Sequence, residues 1–275
     1  MVGLARPPYT PWRDGPPRFA VSLKPIDPGA WLIPDTEAAS LPERRRLLAN
    51  RTLASFESAG AVAATGEAVG LAATHLRDTG FDVPEPEAGA PALWQLAHHV
   101  SDDLVLMMPD DDGWRVGAAV LTSPTFFSLP HAAGKTLAEL HAPVPGGDRL
   151  AARIARVFDH VRPGQVLERF NWTLQAGNER FTPDGAPLRA RALAAAPEEA
   201  ANLLHVRVER QTIAKLPDSG AVLFTIRICL DPLAALDPKE KAALGAAWHA
   251  ADGVARGYKK WAVLDHLVAA ALPTP

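Results

Sequence analysis

Three runs that read as β-strands, residues 165–174, 204–215 and 221–230, mark the second half of the chain and point to a sheet. The last two are separated by Pro217-Asp218-Ser219-Gly220, a turn so short that the strands must pair antiparallel. Another pair precedes them, residues 103–108 and 114–121, joined through Asp110-Asp111-Asp112-Gly113, which reads as a four-residue connection. Helical signals fill the rest. Residues 42–76 read as one or two helices, 93–100 as a short one, and 134–141 and 148–161 as two more between the strand groups. Residues 174–203 read as a surface loop with a short helix, and 238–271 as a helical tail with a break between Gly253 and Gly257. The order predicts an α+β fold, with helices laid on one face of a five-stranded antiparallel sheet and helical segments added at both ends. We expect a single domain over residues 1–275: an N-terminal helical extension (1–90), a core (91–232) and a C-terminal helical tail (233–275).

Composition removes several classes. Cys229 is the single cysteine, so neither an internal disulfide nor a Cys-ligated zinc or iron-sulfur site can form, and a reducing, cytoplasmic setting is expected. Lys plus Arg number 28 against 31 Asp plus Glu, a net charge of -3, so nucleic acid is not an expected partner. The most apolar stretch, 261–272, is interrupted by Asp265 and His266 and is too short to cross a membrane. No dinucleotide, zinc-protease or hydrolase-elbow motif is present. Gly134-Lys135-Thr136 has the end of a phosphate loop, but Leu129 stands where that loop needs glycine. The sequon Asn171-Trp172-Thr173 falls inside a predicted strand and is discounted.

Two places carry candidate chemistry. His98 and His99 are adjacent, point to different sides of a helix, and have Asp102 and Asp103 as ordinary partners. His141 differs, because it ends a helix and is followed by Ala142-Pro143-Val144-Pro145, a stiff connector that fixes its exit. It reads either as a satisfied, half-buried histidine or as a metal ligand. In the strand 204–215, alternation puts Leu204, Val206, Val208, Arg210 and Thr212 on one face, and His205, Arg207, Glu209 and Gln211 on the other. Arg210 shares the more apolar face, so it needs a partner such as Glu168 or a ligand in a cavity. Arg169, Asn171, Arg207 and Arg227 on neighbouring strands read as a polar cluster around it or as separate structural residues.

The stretches Asp103-Leu104-Val105-Leu106-Met107, Leu140-His141-Ala142-Pro143-Val144-Pro145-Gly146, Arg169-Phe170-Asn171-Trp172, Arg207-Val208-Glu209-Arg210-Gln211-Thr212 and Leu223-Phe224-Thr225-Ile226-Arg227 resemble, in this order, the haem-dependent oxidative N-demethylases. Trp31-Leu32-Ile33-Pro34-Asp35 is a weaker match. The resemblance implies a PAS-like fold, which the strand order also suggests, and haem b that activates O2 to demethylate a small amine. It further implies electrons from a separate reductase, His141 as the proximal iron ligand and Arg210 as the distal donor. Arg169, Asn171, Arg207 and Arg227 would complete the pocket. Ala132 and Cys229 depart from the lysine and tyrosine expected in relatives, which bears on the substrate. Two other readings share these residues: a haem-based gas-binding or sensor module without turnover, and a PAS-like domain that binds a small anion at the arginines.

Overall fold

The computed structural model describes residues 7–34 and 41–273. Asp35 of the weaker match lies outside them. Among the described residues, β1 (Lys24–Ile26), β2 (Ser55–Glu57), β3 (Asp103–Asp110), β4 (Gly113–Val120), β5 (Val166–Ala176), β6 (Leu204–Lys215) and β7 (Val222–Pro232) form one sheet. Their order is β1-β5-β6-β7-β3-β4-β2, and every neighbouring pair is antiparallel. The α+β class holds, but the sheet has seven strands, not five. Both additions are three-residue edge strands, too short to show alternation; pairing with β5 and β4 makes them strands. β2 also interrupts the stretch 42–76 that reads as helical. The β3–β4 turn needs only Asp111 and Asp112, with Gly113 at a φ of 109° opening β4.

Helices cover both faces, which corrects the expectation of one. Leu104 and Leu106 of β3 point one way and Val105 and Met107 the other, so both sides of this strand are apolar and each must be buried. On the first side lie α1 (Pro42–Ala49), α2 (Val62–Asp78) and α3 (Ala92–Leu96), whose Leu48, Ala68, Leu76 and Leu96 pack against Leu104, Ala118 and Leu223. On the second lie α4 (Leu129–Ala132), α5 (Leu137–His141) and α6 (Gly147–His160), with Leu137, Ala151 and Phe158 against Met107, Val116 and Ile213.

The loop after β5 carries α7 (Ala186–Ala194), and the tail folds into α8 (Pro238–His249), α9 (Gly253–Tyr258) and α10 (Asp265–Ala271). The expected break between Gly253 and Gly257 falls inside α9 instead. The chain bends just before it, where the Asp252 carboxylate accepts from the Ala255 amide at 2.7 Å, and again at Lys260. A tryptophan cluster docks this tail. Trp248 stacks on Trp261 at 4.1 Å, beside Trp172, Val206 and Val208 of the sheet.

Candidate functional site

Helix α5 is a short element with a fixed start and a fixed end. The Thr136 hydroxyl accepts from the Glu139 amide at 3.2 Å, and the Glu139 carboxylate accepts from the Thr136 amide at 2.8 Å, a reciprocal cap. That amide, with the Lys135 ammonium and the Thr136 hydroxyl, holds the Glu139 carboxyl down at about 2. At the other end the chain reverses so tightly that a Cβ on Gly147 would run into the His141 carbonyl. His141 sits between these constraints. Its Nδ1 lies 2.8 Å from the Leu137 carbonyl, which can only accept, so Nδ1 carries the proton and Nε2 keeps its lone pair. Burial lowers the pKa of this ring, the Leu137 bond opposes, and the Arg169 charge lowers it further, so the neutral form is favoured.

The ring lines a cavity of about 750 Å³ between the sheet and α5 and α6. The floor changes character along the strands. Val105, Phe224 and Ile213 form one cross-strand rung and are apolar. The next cavity-lining rung is Asp103, Ile226, Gln211 and Arg169, and beyond it stand Glu209 and Asn171. Leu137, Leu140, Ile154 and Phe158 cover the opposite side. Asp103, which accepts from the Thr122 and Ser123 amides, has its pKa raised by burial against the opposing Arg44 charge and these bonds.

The polar end is a chain of donors and acceptors. Lys259 Nζ donates to Asn171 Oδ1 at 3.3 Å, Asn171 Nδ2 to Glu209 Oε2 at 3.2 Å, and Gln211 Nε2 to the same oxygen at 2.7 Å. Arg169 stands apart: its Nε is buried and has no hydrogen-bond partner. Burial lowers the Arg169 pKa, with Glu209 opposing. Desolvation brings the Lys259 ammonium down to about 8, against the pull of Glu209 and with a further push from Arg169. Phe19 closes edge-on against Tyr258 at 5.2 Å at the rim. Among the described residues the non-glycine residues with positive φ are Ser22, Phe126 and Lys260, and all three belong to segments that border this cavity. Such conformations cost free energy and concentrate where a site demands a particular wall.

Of the expected site residues, His141, Arg169 and Asn171 come together around the cavity. Arg210, Arg227 and Arg207 do not line it. Arg210 lies on the reverse face, where it donates to Glu168 at 2.5 Å, to the Trp31 carbonyl at 2.7 Å and to the Ala30 carbonyl at 2.6 Å. Its cross-strand neighbour Arg227 donates to Asp102 at 2.9 Å and to the Ile33 carbonyl. Together they fasten the 30–33 segment. Arg207 is 0% exposed and donates to Thr125 Oγ1 at 2.9 Å and to the Ser123 carbonyl at 2.7 Å, so it anchors a cavity wall from behind. The residues that sequence reasoning missed are Glu209, Gln211 and Lys259. The first two were legible by parity, since they share a strand face; Lys259 lies in the tail with no pattern to mark it.

Among the described residues, no helix is long and apolar enough to cross a membrane, and no group of three or more His, Cys, Asp or Glu is arranged to hold a metal ion. A family model described as haem-dependent oxidative N-demethylase, alpha subunit-like, matches residues 65–269.

Proposed function

The chain belongs to the haem-dependent oxidative N-demethylase family, alpha subunit-like, and from that premise we propose that the cavity takes haem b on His141 Nε2 and that the protein oxidatively N-demethylates a small amine. The observation that carries this reading is the His141 ring: neutral, oriented through Nδ1, with Nε2 free on a cavity of the size that encloses a cofactor. A single imidazole would suit a metal whose other ligands come with the cofactor. Haem held there supplies O2 binding and its activation toward an N-methyl C–H bond.

The chain's own residues do the rest. The apolar rung of Val105, Phe224 and Ile213, with Leu137 and Leu140 opposite, keeps water from the reacting centre. Arg169, not Arg210, is the cation on the cavity floor, and its guanidinium would stabilise negative charge that enters or develops there. Asn171 and Gln211 hold the Glu209 carboxylate in place. The overall reaction consumes O2, two electrons and two protons, and releases formaldehyde, the demethylated amine and water. The electrons come from a separate reductase, since the sequence shows no flavin or nicotinamide motif.

The visible spectrum of the purified protein, oxidised, reduced and reduced under CO, tests the reading. The wild type shows haem bands, and His141→Ala loses haem or changes its spectrum; full haem content with an unchanged spectrum refutes the ligand. Amine-dependent oxygen uptake with a supplied electron donor separates turnover from gas binding.

A further inference from the structure

The cavity is cationic although the chain is acidic overall, at -3. Arg169 and Lys259 stand at its polar end with Arg18, Arg189 and Lys260 also on its lining. Among the described residues that line it, only Asp103 and Glu209 oppose them. Asp103 is held by the Thr122 and Ser123 amides, and Glu209 already accepts from Asn171 and Gln211 through one oxygen. Arg169 and Lys259 repel one another across a partly desolvated space, and Nε of Arg169 has nothing to donate to. Buried charge of this kind is left unbalanced unless a ligand balances it. The two kinds of cation also differ in exposure. Arg18 and Lys260 are open to water, where ionised porphyrin side chains are best solvated, whereas the Arg169 Nε is sealed from it.

We propose that Arg169 and Lys259 form a carboxylate clamp, so that the substrate is an N-methylated amino acid or a related N-methyl amine carrying an acidic group, not a bare alkylamine. A guanidinium and an ammonium on one side of a cavity recognise a carboxylate by charge and by directed N–H donors together. Asn171 fixes the ammonium from behind, with its Oδ1 3.3 Å from Nζ. The ligand's own negative charge removes the repulsion between the two cations, and an alkylammonium without a carboxylate would increase it. The amine part of this inference rests on the demethylase reading; the carboxylate part rests on the charges of the cavity alone.

The test titrates wild type, Arg169→Gln and Lys259→Met with N-methylglycine, acetate and dimethylamine, following the haem bands and, in parallel, heat by calorimetry. N-methylglycine and acetate bind the wild type, dimethylamine binds at least roughly tenfold more weakly, and either substitution weakens the two carboxylates by roughly tenfold or more. Haem retention, read as transfer of haemin to a competing apoglobin, stays as in the wild type. Dimethylamine binding as tightly as N-methylglycine overturns the clamp, as does carboxylate binding that survives both substitutions. Haem loss in the variants with carboxylate binding intact assigns the pair to the porphyrin and overturns it equally. Should the protein take up no haem, calorimetry with acetate still decides: binding lost in the variants keeps the clamp while the demethylase reading falls. Arg169→Lys, which keeps the charge, controls for a misfolded Arg169→Gln.

Discussion

Two arginines on neighbouring strands, Arg210 of β6 and Arg169 of β5, are accommodated in opposite ways. On the reverse face Arg210, 2% exposed, sits between two apolar clusters, with Val208 in one and Ala214 in the other, and spends its donors on Glu168 and two backbone carbonyls. Across the cavity face, one strand over, Arg169 has a buried Nε with no partner. A buried charge inside a saturated network is structural, while an unsatisfied one on a cavity lining is available to a ligand.

Substitution at each site sharpens that contrast. The largest effect is expected for Arg210→Met, which strands Glu168 and frees the 30–33 segment; it should cost about 3–5 kcal/mol in denaturant unfolding. Arg169→Met, by comparison, should change stability by less than about 1 kcal/mol, because no hydrogen bond from its Nε is lost. Equal losses at the two sites would erase the distinction.

Lys259 gives the next effect and a definite pH sign. Its ammonium titrates at about 8 when folded and near its ordinary 10.5 when unfolded, so the unfolded chain binds more protons between those values and stability rises with pH across that window. The cost of the buried charge is complete below pH 8. Lys259→Met should therefore stabilise the protein by about 1–3 kcal/mol at pH 7, with the advantage fading toward the upper end of the window. Unfolding curves at pH 7 and pH 10 check it; an advantage that grows with pH contradicts the desolvated lysine. A small effect is also expected for Thr136→Ala, which removes half of the reciprocal cap on α5 and should cost about 0.5–2 kcal/mol. In calorimetric unfolding Glu139→Ala should also destabilise, since it removes the other half of the same motif, whereas Glu139→Gln, which keeps an acceptor for the Thr136 amide, should cost less.

Much of the architecture was legible. The five longer strands were visible, β6 by its alternation and β3 by its run of apolar residues, and the turn at Pro217 to Gly220 set the β6–β7 hairpin, because composition, parity and turn chemistry are local. The two edge strands were not, since three residues have no period and take their conformation from a neighbour's backbone. The same divide runs through the site. His141 stood out through its prolines, and Arg169 and Asn171 through their strand. For Arg210 the strand pattern left open an ion pair with Glu168 or a ligand in a cavity, and the structure forms the ion pair. In the fold that side is sealed by Trp31 and its neighbours, and the cavity opens on the side of Glu209 and Gln211.

The hairpins, the strands and which residues share a strand face could be read from the residues alone, all of them consequences of backbone geometry over a few residues. Which face would be sealed and which would enclose a cavity was decided only by tertiary structure. That choice depends on where α5, α6 and the 30–33 segment come to rest, and contacts between residues far apart in the chain leave no period in the sequence.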